Sequence, residues 1–317
     1  MHAIRTENLT RTYGSRRGIE SVDLTIPEGS LYGFLGPNGA GKTTTIRVLL
    51  GFLRPTTGRA AVFGLDAWSR SAKIKADVGY VPGDLRLWPW LSGHSALSLF
   101  ASIRGRDLNA HGQNLAKVFE LDLSVKVRSM SRGMRQKLGL ILAMAHKPRL
   151  LILDEPSSAL DPLMQERFRG LLRDSARQGA TVFFSSHTLG EVESLCERVA
   201  IVKRGLIVAD DTLDGLRSLA RHEFDIRWSG GVGTQLEPPA GVRLLTRTDA
   251  QWSGIVEPSG LPAFLAFLAG KPVSDMRLGK PDLETIFRRY YDSQEDPGAP
   301  EPGASATGTV AIAGGAR

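Results

Sequence analysis

The sequence predicts an α/β protein with a largely parallel sheet, because short apolar runs alternate with longer segments of helical spacing. Most of residues 90–145 have helical spacing, with Leu97, Phe100 and Ile103 at helical intervals. Five apolar runs have the length and composition of buried strands, at residues 30–35, 150–153, 181–185, 200–202 and 206–208. Buried strands that alternate with helices are typical of sheets covered on both faces.

The amino-terminal part of the chain adds two features to this core. Residues 3–26 alternate and turn in the manner of an antiparallel β region. The first buried strand, at residues 30–35, leads into a glycine-rich turn, and residues 43–53 then have helical spacing that ends before Pro55. The order is therefore strand, glycine-rich loop and helix.

A change of pattern after about Arg221 predicts a second, smaller α+β domain. We expect strands at 224–228, 242–245, 252–256 and 273–278, and helices at 261–268 and 282–291. Beyond residue 294 the chain is rich in Pro, Gly, Ala and Ser without periodicity, which predicts a disordered tail. The expected domains are residues 1–221, 222–292 and 293–317.

Composition narrows the class of protein. The chain has 317 residues, 42% of them hydrophobic and 23% charged, which is ordinary for a globular protein. The single cysteine, Cys196, excludes an internal disulfide and a cysteine metal cluster. The longest nearly apolar stretch, 138–145, is far shorter than the roughly 20 residues of a membrane helix, and the first seven residues lack a signal-like apolar core. We expect a cytosolic protein, or one held at a membrane through a partner.

The net charge of +7 allows an anionic partner without identifying one. A basic balance of this kind suits nucleic acid or an anionic membrane surface. The basic residues, however, are mostly arginines scattered along the chain, with no long basic run. Charge alone is therefore weak evidence for any partner.

The glycine-rich turn has the pattern of a phosphate-binding loop: Gly, four residues, then Gly-Lys-Thr. Closely spaced glycines let backbone N–H groups point at phosphate oxygens, at the positive end of the following helix. A lysine here reaches the β- and γ-phosphates, and the adjacent threonine hydroxyl can bind Mg²⁺. The predicted ATP-binding residues are Gly36, Pro37, Asn38, Gly39, Ala40, Gly41, Lys42, Thr43 and Thr44.

Two carboxylates follow the buried run at 150–153. Asp154 and Glu155 stand at the carboxyl end of this predicted strand, where ligands bind in open α/β sheets. We expect Asp154 to hold Mg²⁺, directly or through water, and Glu155 to act as the general base on the attacking water. Taken alone, such a pair would equally suit a helix cap; together with the phosphate loop, it favours hydrolysis.

These motifs resemble the nucleotide-binding subunits of ABC transporters over roughly residues 3–220. Residues 36–44 match the Walker A motif and 150–155 the Walker B motif, while 158–161, ending at Asp161, match the D-loop. His187 matches the switch histidine, and Tyr13 the aromatic residue that stacks on adenine. The resemblance implies a P-loop NTPase (RecA-like) core with an antiparallel β subdomain and a helical insert at about 85–147. It also implies catalytic roles for Lys42, Glu155 and His187, and a contact of Asp161 with the nucleotide.

The signature motif of this family, LSGGQ, is altered here. Residues 130–136 read Met-Ser-Arg-Gly-Met-Arg-Gln, so Ser131 and Gly133 are kept, whereas Arg132 and Met134 replace the first glycine and the glutamine. The resemblance implies that Ser131, Gly133 and the start of the next helix grip the γ-phosphate of ATP bound to a second subunit. Arg132 could add a phosphate contact of its own.

The Q-loop also departs from the family pattern. Residues 78–82 are followed by Gly83 and Asp84, where the family has Gln or, in some drug exporters, Glu. Glycine has no side chain with which to bind Mg²⁺ or water. Either the Asp84 carboxylate replaces the missing side chain, or the contact with Mg²⁺ or water is lost. We favour the second hypothesis.

Within the family, residues 33–45, 54–58 and 282–291 are similar to cassettes of ABC-2-type exporters. We therefore expect an ATPase that drives efflux of a drug, antibiotic or lipid-like compound through a separate multi-spanning permease. It would work at the cytoplasmic face of the membrane with a second nucleotide-binding subunit, as a homodimer. No nucleic-acid partner is expected.

The alternative is a soluble ABC ATPase acting on nucleic acid or ribosomes. The stretch between Thr43 and Ser131 is too short for the long coiled coil of the DNA-repair members, and translation-factor members have two cassettes per chain. An inactive regulatory cassette is disfavoured because the four expected residues are all present: Lys42, Asp154, Glu155 and His187.

Overall fold

The computed structural model describes residues 1–14, 16–218, 222–279 and 287. The expected helix at 282–291, apart from Phe287, and the expected tail beyond residue 294 lie outside that description. The strands within it are, in chain order, β1 (His2–Tyr13), β2 (Arg16–Pro27), β3 (Leu31–Leu35), β4 (Thr57–Val62), β5 (Leu65–Asp66), β6 (Val78–Val81), β7 (Leu150–Asp154), β8 (Thr181–Ser186), β9 (Arg198–Lys203), β10 (Leu206–Thr212), β11 (His222–Trp228), β12 (Val242–Arg247), β13 (Gln251–Val256) and β14 (Val273–Gly279).

The α-helices of the same residues connect and cover these strands. Within this part of the chain, none is both long and apolar enough to cross a membrane. They are α1 (Lys42–Leu49), α2 (Ser71–Ala76), α3 (Gly93–Arg104), α4 (Asn109–Val118), α5 (Arg132–Met144), α6 (Pro162–Arg177), α7 (Leu189–Leu195), α8 (Leu213–Ser218) and α9 (Leu261–Leu268).

The central sheet confirms the predicted α/β fold class. Its strand order is β10-β9-β3-β8-β7-β6, and every neighbouring pair is parallel except β10 with β9. All residues of β7 and β8 are buried, which explains the apolar runs at 150–153 and 182–184. Because β3, β7 and β8 are adjacent and parallel, the loops that follow them meet at one edge of the sheet.

The antiparallel β region is also present and is larger than expected. Strands β2, β1, β4 and β5 form a four-stranded sheet in that order. Its apolar residues pack with α1 and one face of the central sheet in a single core that includes Ile4, Phe34 and Ile46. The stretch containing β4, β5 and α2 carried no structural prediction, because its strands are short and half exposed.

The helical segment 90–145 resolves into α3, α4 and α5, with a short 3₁₀ turn at Val127–Ser129. These helices bury Leu97, Leu115 and Leu138 in a core shared with the other face of the central sheet. Helix α1 is shorter than the predicted 43–53, because it ends at Leu49 and Gly51 then adopts φ +63°.

The carboxyl-terminal strands form a separate four-stranded antiparallel sheet in the order β12-β13-β11-β14. Helix α9 covers one face of it, where Phe264 packs on Phe224 at a ring-centroid distance of 4.5 Å. This sheet has its own core around the fully buried Trp252. Phe287, from the expected last helix, packs instead against the core of α3–α6. The elements predicted for residues 224–278 are thus confirmed.

Candidate functional site

The loop between β3 and α1 encloses its own lysine. Gly39 and Gly41 have φ +80° and +112°, which a residue with a Cβ rarely adopts, and a Cβ at Gly41 would lie 2.7 Å from Ile19 Cγ2. The Lys42 side chain is only 4% exposed, and its Nζ donates to the carbonyl of Gly36 at 2.6 Å. The ammonium group therefore sits inside the loop, where phosphate oxygens are bound in loops of this pattern.

The second group of site residues lies where the carboxyl ends of the adjacent strands β7 and β8 meet the start of α1. Thr43 Oγ1 donates to Asp154 Oδ2 at 2.8 Å, and Ser185 Oγ donates to Asp154 Oδ1 at 2.6 Å. Asp154 and Ser185 are register partners in the parallel pair, which accounts for the second contact. The sequence reading missed Ser185, although a hydroxyl beside a strand-end carboxylate is a detectable signal.

The oxygens of Thr43 and Asp154 suit Mg²⁺, a hard cation. No group of three or more Asp, Glu, His or Cys able to hold a metal ion occurs in the described ranges. Mg²⁺ bound in nucleotide sites uses one or two protein ligands, with phosphate and water oxygens completing its shell. The donors present therefore fit Mg²⁺ delivered with a nucleotide, rather than a resident metal.

Glu155 lies at the centre of the charged groups. Its Oε1 is 3.1 Å from Lys42 Nζ, and its Oε2 is 3.2 Å from His187 Nδ1. Its backbone has φ +49°, a conformation that costs a non-glycine residue energy and that clusters at functional sites. The backbone N–H donates to the carbonyl of Ser185 at 3.1 Å, which holds this conformation. The carboxylate is a quarter exposed and so is reachable by water.

An open cleft of about 350 Å³ lies over the phosphate loop. Tyr13 forms one wall, is 42% exposed, and has the Arg11 guanidinium 5.1 Å from its ring centroid. An exposed ring at the rim can stack on a flat base. The sequence reading missed Arg17, which also lines the cleft. The lining residues are Tyr13, Arg17, Gly18, Pro37, Asn38, Gly39, Gly41, Lys42, Thr43, Thr44 and Glu155.

The signature residues lie apart from this cleft. Ser131 caps α5, accepting a hydrogen bond from the backbone N–H of Met134 at 3.1 Å, and Ser131 and Arg132 are both exposed. A Cβ at Gly133 would lie 2.9 Å from the carbonyl oxygen of Ala159, so the start of the helix packs closely on the D-loop stretch. None of Ser131, Arg132 and Gly133 lines the nucleotide cleft of its own chain.

Asp161, predicted to contact the cofactor, is used as a helix cap. Its Oδ1 accepts a hydrogen bond from the backbone N–H of Met164 at 2.9 Å at the start of α6. A buried glutamine that the sequence reading missed holds the same stretch: Gln136 Nε2 donates to the carbonyl of Pro156 at 2.8 Å. Helix α5 is thus bonded to the loop behind Glu155.

The Q-loop position lies beside Asp154 but has no side chain. A Cβ built on Gly83 would be 3.7 Å from Asp154 Oδ2. Asp84 is 78% exposed and pairs with Arg86 at 2.9 Å, so its carboxylate is directed to its own loop. Burial and the nearby Asp154 carboxylate raise the pKa of Tyr80, on the preceding strand, to about 12. Tyr80 therefore stays neutral at pH 7.

Comparison with known proteins agrees with this geometry. The model of the ABC transporter family matches residues 19–158. Bacitracin transport ATP-binding protein BcrA of Bacillus licheniformis is 34% identical over 229 residues, covering 71% of this chain and 75% of that protein. Daunorubicin resistance ATP-binding protein DrrA2 of Streptomyces coeruleorubidus is 32% identical over 311 residues, covering 91% and 94%.

Among solved structures, the ATP-binding subunit of an ABC transporter superposes with a TM-score of 0.65 at 28% identity. It covers 68% of this chain and 92% of the solved chain. With the phosphate loop, the paired carboxylates and the histidine held at one edge of the sheet, these matches identify the chain as a member of the ABC transporter ATP-binding family, whose cassettes bind and hydrolyse ATP.

Proposed function

We propose that this chain is the ATP-hydrolysing subunit of an exporter of a drug, antibiotic or lipid-like compound. It would work as a homodimer at the cytoplasmic face of the membrane, bound to a separate multi-spanning permease. The named relatives are a bacitracin transport protein and a daunorubicin resistance protein, which supports export over action on nucleic acid or ribosomes.

One observation supports the hydrolytic role most strongly: the contact series from Lys42 through Glu155 to His187. A cation, a carboxylate and an imidazole are in direct contact at the mouth of a cleft whose other walls suit phosphate and a base. In phosphoryl transfer, catalysis comes mainly from positioning and electrostatic stabilisation, so groups that are already placed are an advantage.

The phosphates of ATP would be held by the backbone N–H groups of the loop and by Lys42. To reach the β- and γ-phosphates, the ammonium group exchanges its bond with the Gly36 carbonyl for phosphate oxygens. Its positive charge stabilises the negative charge on the transferred group in the transition state. Tyr13 would stack on the adenine at the rim of the cleft.

Hydrolysis would begin with a proton transfer. Glu155 Oε1 or Oε2 accepts a proton from the water that attacks the γ-phosphorus, while His187 orients the carboxylate through the Nδ1 contact. Thr43 and Asp154 would hold Mg²⁺, which on binding neutralises phosphate charge. As the water oxygen bonds to the γ-phosphorus, the bond between that phosphorus and the β–γ bridging oxygen breaks, and the bridging oxygen leaves with ADP. The proton held by Glu155 passes to bulk water after release of inorganic phosphate.

The exposed signature residues point to a second copy. Ser131 and the start of α5 would close on ATP bound to the partner subunit, and closure of the pair would move the attached membrane domains. The positive end of α5 and its free first-turn N–H groups favour an anion at this position.

Substitution of Glu155 by Gln tests the hydrolytic assignment. The amide cannot accept the proton, so ATP turnover should fall by about a hundredfold or more while ATP still binds and holds the dimer together. Unchanged turnover would refute Glu155 as the base. Glu120→Gln, on the surface and bonded to Arg167, removes the same charge and should leave turnover unchanged.

Recovery from detergent-solubilised membranes tests the exporter. The tagged chain should bring down a multi-spanning membrane protein in stoichiometric amount. Recovery with ribosomes or nucleic acid in place of such a protein would contradict the proposal.

A further inference from the structure

A carboxylate outside the nucleotide cleft connects the two loops that carry Glu155 and His187. Glu191 lies in the first turn of α7 and is half-buried. Its Oε1 accepts a hydrogen bond from Ser157 Oγ at 2.5 Å, and its Oε2 accepts one from Ser186 Oγ at 2.5 Å. Ser157 follows Glu155 by two residues, and Ser186 directly precedes His187.

The two serines bonded to Glu191 are themselves held in place next to Glu155 and His187. The Ser186 hydroxyl also accepts a hydrogen bond from the backbone N–H of Thr188 at 2.9 Å, so it fixes the backbone on both sides of His187. On the other side, the Ser157 carbonyl accepts from the side chain of Gln165 at 3.3 Å. Both serines are at least 95% buried, where a hydroxyl left without a partner is costly.

An ordinary explanation of a glutamate at this position is a capping box. In that motif the carboxylate bonds back to the N–H of the capping residue, which here is Thr188. Instead, the Thr188 N–H bonds to Ser186, and the two oxygens of Glu191 accept from Ser157, in the loop after β7, and from Ser186, at the end of β8. In the described part of the chain Glu191 makes no ion pair, so the two hydroxyls are its principal partners there.

We propose that Glu191 is a positioning residue that fixes the distance between Glu155 and His187. It acts through Ser157 and Ser186 and is not part of the cleft lining. The proposal rests on the proposed hydrolytic roles of Glu155 and His187, and it assigns to Glu191 the task of setting the distance between them. A misplacement of about 1 Å at a reacting group is enough to slow an enzyme severely.

The test is steady-state ATP turnover by the full chain. Glu191→Ala should lower kcat about tenfold and leave the KM for ATP within about twofold, because Glu191 does not touch the nucleotide cleft. Glu191→Gln should recover most of kcat, since its amide can accept from one serine and donate to the other. Glu191→Asp is one methylene shorter, cannot span both serines and should stay slow.

Glu193→Ala is the matched control. Glu193 is on the same helix, two residues further on, and contacts Arg217 on the surface at 3.5 Å. The same charge is removed there, and kcat should not change. An equal fall of kcat in the Glu191 and Glu193 variants would overturn the proposal.

A double-mutant cycle separates positioning from general loss of structure. Glu191→Ala and Ser157→Ala break the same link, so the double variant should be no slower than Glu191→Ala alone. If the loss of kcat in the double variant equalled the product of the two single losses, the proposal would be overturned. A normal kcat in Glu191→Ala would overturn it as well. If Glu155→Gln in the same assay turned over ATP normally, the hydrolytic assignment would fail instead.

Discussion

The phosphate-binding end of the site and its signature end are built in different ways. At the phosphate end, Glu155 contacts both Lys42 and His187, and Thr43 contacts Asp154. At the signature end, the Ser131 hydroxyl accepts from the N–H of Met134 in its own helix, and Ser131 and Arg132 are both exposed. One end is internally linked, and the other faces solvent.

This difference indicates whether each end of the site can bind phosphate within a single chain. Linked polar groups in a partly buried site are held close to their working positions before the nucleotide binds. A capped helix start that faces solvent has unsatisfied N–H groups and positive potential, which favour binding of an anion. We therefore expect the phosphate end to be needed in every chain, and the signature end only when two chains meet.

The largest effect should follow from removing the cation. Lys42→Ala takes away the ammonium group inside the loop and leaves Glu155 without its cation, so ATP turnover should fall about a thousandfold. ATP affinity, measured by equilibrium titration, should fall as well. Lys73→Ala, at an exposed position on α2, is the control and should change neither quantity.

A change at the signature end should lower turnover strongly without weakening ATP binding. Aspartate is as good a helix cap as serine, so Ser131→Asp keeps α5 while placing a negative charge opposite the γ-phosphate. Turnover should fall about a hundredfold with the affinity of the isolated chain for ATP unchanged.

Ser92 provides the control for that change. It caps α3 in the same way, accepting from the N–H of Ser95 at 3.2 Å. Ser92→Asp introduces the same charge and should leave turnover at the wild-type level. If Ser131→Asp weakened ATP binding within one chain, the proposed separation of the two ends would be contradicted.

Removal of the hydrogen bond between Gln136 and the Pro156 carbonyl, which connects the two ends, should lower turnover by an intermediate amount. Gln136→Leu removes the donor to the Pro156 carbonyl and leaves a buried acceptor unpaired, which costs about 1–3 kcal/mol of unfolding free energy. Because this bond connects α5 to the loop behind Glu155, turnover should fall about fivefold. Thermal unfolding and ATP turnover measured on the same preparation test both parts. Loss of stability without any change in turnover would mean that α5 does not position Glu155.

The smallest effect is expected at the Q-loop. A Cβ at Gly83 meets Asp154 only at ordinary contact distances, so Gly83→Gln should fold normally. The new amide oxygen can approach the Asp154 side of the site, and turnover at limiting Mg²⁺ should rise about twofold. Gly83→Leu adds similar bulk without an oxygen and should give no increase. An equal change in both variants would show that bulk alone is responsible.

The sequence predicted the phosphate end well because its residues are local to strand ends. Lys42 follows β3, Glu155 follows β7 and His187 follows β8, so parallel neighbours bring them together. Glu191 and Gln136 could not be found in this way, because Ser157 and Pro156 lie 34 and 20 residues from them along the chain and polar residues in helices are usually solvated.

The contacts of two other site residues have simple physical causes. Asp84, left open as a substitute for the missing glutamine, is paired with Arg86 because a charged side chain next to an exposed arginine finds the nearer partner. Asp161 serves as a cap because it directly precedes Pro162, which favours the first turn of a helix. Both side chains bond to partners two or three residues away along the chain.

Mixing two inactive variants tests most directly whether one site is shared by two chains. In a twofold dimer, Lys42→Ala and Ser131→Asp each damage both sites, but a mixed dimer has one site with Lys42 from one chain and Ser131 from the other. Random exchange makes half of the dimers mixed, each with one intact site. We expect an equimolar mixture to recover about a quarter of wild-type ATP turnover. A mixture no more active than either variant alone would contradict the shared site.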